Sequence, residues 1–75
     1  TLRNRKTGRA LRVDFPDDKY FLLWHKPNSP YICLEPWDGI QDIVGSSFDI
    51  TEKEGIIPLE GKSEYHHTHS VTIIE

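Results

Sequence analysis

Seventy-five residues, 36% hydrophobic and 28% charged with a net charge of −3, allow one small domain at most and a marginal core. The single cysteine, Cys33, excludes an internal disulfide. The acidic balance argues against a nucleic-acid partner, which needs clustered Lys and Arg to neutralise phosphates, and no run approaches the roughly 18 apolar residues of a membrane helix.

The start, TLRNRKTGRA, carries Arg3, Arg5, Lys6 and Arg9, with Arg12 just beyond. Thr7-Gly8 is a turn signal, so these charges read as a solvated hairpin turn rather than a phosphate site. The stretch has no apolar core region and is not a signal peptide. It also has no initiating Met, from which the chain is expected to begin inside a longer protein. The lone cysteine suits a reduced, cytoplasmic setting.

Leu11, Val13 and Phe15 alternate with Arg12 and Asp14, which predicts a half-buried strand over 10–15. Pro16-Asp17-Asp18 ends it with turn residues. YFLLWH, 20–25, is apolar and aromatic throughout and predicts a strand covered on both faces. KPNSP is a loop, and YICLE, 31–35, is the next strand. Thr51 with Glu54 has capping-box spacing and Gly55 suits a C-terminal cap, so one helical turn is expected near 49–54. IIPLE, 56–60, reads as a short edge strand because Pro58 cannot donate to a ladder. The alternation in 64–74 predicts a terminal strand. The pattern is all-β, an antiparallel sandwich segment. Its two most apolar strands exceed what 75 residues can cover, so association, with further chain or with a second copy, is expected.

Glu35 is the first candidate for chemistry. It closes an apolar strand beside Pro36-Trp37, where burial makes charge costly. Alternation places Tyr31, Cys33 and Glu35 on one face and Ile32 and Leu34 on the other. A carboxylate beside an indole suits a sugar: the acid takes a hydroxyl proton and Trp37 covers a C–H face. A solvated strand end is the plainer alternative. His25 ends the preceding strand and could lie beside Glu35 across the hairpin, or simply face solvent. His67 and His69 form an H-x-H pair, but no third ligand is fixed by spacing, so no metal is expected. Asp17, Asp18, Asp38 and Asp42 lack metal-loop spacing, and Cys33 has no nearby basic partner.

The stretch FLLWHKPNSPYICLEPWDGI, followed by EKEGIIPLE, resembles the C-terminal end of the aldose 1-epimerase (galactose mutarotase) superfamily, in its divergent bacterial branch. The shared pattern is W-[ST]-K-P-x-[AS]-P-[FY]-[ILV]-C-[IL]-E-P-W-x-G-I, then K-E-G-I-x-x-L. The resemblance implies a large β-sandwich of which this chain is the last portion. It implies an enzyme that interconverts the α and β anomers of a free aldose by opening and reclosing the ring, without a cofactor. Glu35 matches the general base; from their positions beside it, Trp37 and His25 are expected at the substrate. The family's acid is a histidine upstream of this segment. His25 departs from the usual Ser or Thr, EGKSEY departs from the usual turn, and HHTH is not a family motif. The expected partners are a monosaccharide, the remainder of the sandwich and a second copy. A non-catalytic carbohydrate-binding or structural fragment is the alternative.

Overall fold

The computed structural model describes residues 1–75, in which five strands and one 3-10 turn form two antiparallel sheets. β1 (Leu2–Arg3), β2 (Ala10–Asp14) and β5 (Ser70–Ile74) make one sheet in the order β1-β2-β5. β3 (Tyr20–Trp24) and β4 (Cys33–Trp37) make the other. The fold is all-β, as the alternation predicts.

The basic N-terminal stretch is a hairpin. Asn4 N–H donates to the Arg9 carbonyl at 2.8 Å, and the Asn4 side chain accepts from the backbones of Lys6 and Thr7. Gly8 sits at φ +78°, a left-handed conformation that glycine adopts without steric cost. β2 then pairs with β5 from Ala10↔Ile74 to Asp14↔Ser70. The ladder ends there. Pro16 has no N–H to extend it, and the chain turns through Asp17 and Asp18 towards β3.

Each sheet turns an apolar row towards the other. Leu2, Leu11 and Val13 face Phe21, Leu23 and Leu34 across a hollow of about 280 Å³. Phe15 and Phe21 stack face to face at the joint between the sheets, with ring centroids 4.6 Å apart. The closure is thin. Ala10 is the single buried residue, and Leu23 keeps 55% of its surface exposed. Such side chains therefore realise only part of the about 1.5–3 kcal/mol that full burial gives. The chain is a slab of 47 × 30 × 13 Å with a radius of gyration of 16.5 Å, against about 11 Å for a compact domain of this length. Its accessible surface of 6669 Å² exceeds the roughly 4,700 Å² of a compact protein of this mass.

Five sequence expectations are corrected. β3 is not covered on both faces: Phe21 to Trp24 are all exposed, because no third layer exists within these residues. β4 begins two residues later than expected and runs through Pro36 to Trp37. It pairs only with β3, and a strand with one neighbour tolerates proline. Residues 56–60 form no strand; Pro58 lies in an irregular segment that enters through a Lys53–Ile56 turn. Of 64–74, only Ser70–Ile74 is strand. The helical turn is a 3-10 turn over Ile50–Glu52. Its N-cap is Asp49, which accepts from Thr51 N–H at 2.9 Å, so the expected Thr51–Glu54 capping box does not form. No helix is long and apolar enough to cross a membrane.

Candidate functional site

The β3–β4 register decides what surrounds Glu35. Tyr20 pairs with Trp37, Leu22 with Glu35 and Trp24 with Cys33. Paired residues point to the same side of a sheet. One face therefore carries Glu35 with Trp37, Tyr20, Trp24, Leu22 and Cys33, and the opposite face supplies Phe21, Leu23 and Leu34 to the hollow. This is the division that the alternation of YICLE predicts. Glu35 is half-buried, and Trp37 Nε1–H donates to its Oε2 at 3.1 Å. Tyr31 extends the aromatic surface, its ring centroid 6.2 Å from that of Trp24.

The structure does not bring His25 to Glu35. Leu22 occupies the position opposite the carboxylate, and His25 lies beyond the end of β3. Its Nδ1 lies 3.3 Å from the Lys26 carbonyl oxygen, and the residue is exposed.

Gly55 gives the KEGI stretch a structural job. It sits at φ +79°, and a Cβ built there would lie 2.8 Å from the Tyr20 hydroxyl. Only glycine both accepts that conformation and leaves room for the ring. The loop after the 3-10 turn thus rests against the aromatic face beside Glu35.

A second group of polar side chains borders Trp37. Asp18, Trp37, Asp38, Gln41, Lys53 and His67 line an open cleft of about 730 Å³. His67 Nε2 lies 2.6 Å from Asp18 Oδ1 and 3.9 Å from Asp38 Oδ2. Tyr65 donates its hydroxyl to Asp38 Oδ2, and Thr68 N–H donates to Asp17 Oδ2 at 2.8 Å. The hydrogen bond to Asp18 holds the His67 pKa above its ordinary value, with the charges of Asp18, Asp38 and Asp17 adding to it against desolvation. The hydrogen bond to Asp38 pushes the Tyr65 hydroxyl up to about 12, desolvation and the same three aspartates adding to it. Asp18 is enclosed, with 1% of its side chain exposed.

The sequence marks His67 only as half of an H-x-H pair, and nothing in it groups His67 with Asp18, Asp38 and Tyr65. Their signal is the β2–β5 pairing: continuing Asp14↔Ser70 past the end of the ladder brings residues 17 and 18 opposite 67 and 66. That pairing joins segments far apart in the chain, so spacing along the sequence cannot show it.

Trp37 belongs to both groups. The result is a surface on which an acid, indole and phenol rings and a bank of carboxylates adjoin, a donor and acceptor set suited to a polyhydroxylated ligand. No family model matches the chain, and no solved structure matches it. Among curated proteins it is similar to protein LacX of Lactococcus lactis subsp. lactis, in both the plasmid and the chromosomal form, at 35% identity over 75 residues. The match covers 99% of this chain and 25% of each relative, so the chain spans about a quarter of the length of the LacX proteins it resembles.

Proposed function

We propose that this chain is the base-bearing portion of an aldose 1-epimerase-like enzyme, with Glu35 as general base and Trp37 as the sugar platform. The observation that carries the proposal is the β3–β4 face. Glu35 shares that face with Tyr20, Trp24 and Trp37, and the Trp37 indole holds one of its carboxylate oxygens. The hydrogen bond orients the carboxylate, and the indole covers a sugar C–H face. Glu35 takes the anomeric hydroxyl proton as the ring opens and returns one on reclosure. The ring oxygen receives its proton from an acid supplied by another part of the full-length sandwich, since His25 lies away from Glu35. The similarity to LacX and the resemblance of the EPWDGI and KEGI stretches support the proposal.

Anomer interconversion measured by polarimetry on the full-length protein tests it. Glu35→Gln is expected to lower turnover by ~10²–10⁴ while sugar binding changes little. A folded Glu35→Gln protein with near-wild-type interconversion would remove Glu35 as the base. A second reading is a sugar-binding module without turnover, which the face of Tyr20, Trp24 and Trp37 would serve equally. Saturable sugar binding without interconversion would select it.

A further inference from the structure

We propose that Asp18, His67 and His69 form a binding site for a divalent transition-metal ion of the zinc type. One ligand atom from each residue lies within 4.8 Å of the other two. Two imidazoles and a carboxylate are a donor set that Zn²⁺, Co²⁺ and Ni²⁺ accept. The site is separate from Glu35, which contributes no ligand.

Asp18 is the observation that points to a ligand. Its side chain is 1% exposed in a chain that buries almost nothing else. Oδ1 is matched to His67, but Oδ2 is buried without a hydrogen-bond partner. Asp38 Oδ1, across the same cleft, is buried and unpartnered too. Leaving one oxygen of each carboxylate enclosed without a donor is unfavourable, and a cation bound at Asp18 relieves it there.

The backbone is arranged for the purpose. His67 and His69 alternate along an extended segment and so share a side, with ring centroids 5.7 Å apart. Asp17 accepts from Thr68 N–H, pinning the backbone between the two rings. His66 points elsewhere, its Nε2 3.2 Å from Glu64. Metal–ligand bonds of about 2.0–2.2 Å put tetrahedral ligand atoms roughly 3.3 Å apart, so the widest separation has to close. The His69 ring, which is exposed, is the ligand placed to close it. Three protein ligands leave a fourth position for water.

Co²⁺ titration of the full-length protein, followed by visible d–d absorption and Zn²⁺ competition, tests the site. Wild type is expected to bind one equivalent of Co²⁺, displaced by Zn²⁺. His69→Gln is expected to weaken binding by about tenfold or more, since even outer-shell changes cost that much, whereas His66→Gln leaves it within about twofold. Asp18→Asn is expected to abolish binding. Should that variant fail to fold, His69→Gln, altered at an exposed position and checked by circular dichroism, still decides. No saturable Co²⁺ binding by wild type, wild-type affinity in His69→Gln, or equal losses in His66→Gln and His69→Gln would overturn the proposal.

Discussion

Trp37 donates its indole N–H to Glu35 at 3.1 Å, two positions apart on one face of β4. The two roles assigned to Trp37, orienting the carboxylate and packing on the sugar, are separable by mutation. Trp37→Phe removes the donor and keeps a ring. It is expected to lower turnover by about fivefold, the worth of one hydrogen bond of about 1 kcal/mol, with KM little changed. Trp37→Ala also removes the platform and is expected to raise KM, because a ring face packs equally on substrate and transition state. Steady-state kinetics of both variants on a free aldose checks the split; identical kcat and KM for the two would show that the ring face contributes nothing.

Gly55→Ala is expected to destabilise the full-length protein by about 1–2 kcal/mol from the left-handed backbone alone. The contact with Tyr20 adds to this. Tyr20→Phe removes the oxygen nearest the new methyl, so the double variant is expected to lose less than the two single losses combined. Urea denaturation of the four proteins gives the coupling directly. Strict additivity would mean that Tyr20 and residue 55 do not meet.

The Asp18–His67 pair gives a pH dependence of known sign. The folded pKa of His67 is raised, chiefly by its hydrogen bond to Asp18. Its contribution to stability is therefore full below the unfolded value of about 6.5 and is lost as pH rises through the higher folded value. An NMR titration of His67 in metal-free buffer is expected to show a pKa above the ordinary one. Asp18→Asn is expected to bring it down. A His67 that titrates alike in both proteins would rule out the pairing.

The 75-residue chain on its own is expected to associate. Phe21, Leu23 and Trp24 are exposed, β4 has an open edge, and the slab is 13 Å thick. Sedimentation velocity across a range of concentrations is expected to show species larger than a monomer. A single monomeric species with a cooperative unfolding transition would show instead that two thin sheets suffice.

Local signals mark true elements. Leu11 and Val13 alternate because β2 has one apolar side, and Glu35 and Leu34 diverge because β4 has two different sides. Where local pattern failed, something distant decided the outcome. His67 and Thr68 alternate like a strand, yet Pro16 offers no N–H opposite them, and the side chains of Asp17 and Asp18 tie them down instead of a ladder. Pro36 reads as a stop, yet it lies within a strand that has one neighbour. The contact of Glu35 with Trp37 was legible, because the two stand two residues apart on one side of a strand. The Asp18–His67 cluster was not, because its members meet only when the first sheet closes.

The antiparallel register of β2 with β5 also sets an order of events during synthesis. β1 and β2 can form their hairpin, and β3 and β4 theirs, from neighbouring sequence as each is made. The free side of β2 stays open until residues 70–74 exist, and a link such as Thr68 to Asp17 closes a loop of 51 positions. Loop closure on that scale is slow compared with hairpin formation. A nascent chain therefore holds two finished hairpins with the Asp17–Asp18 turn exposed, and the last strand is the latch that encloses Asp18.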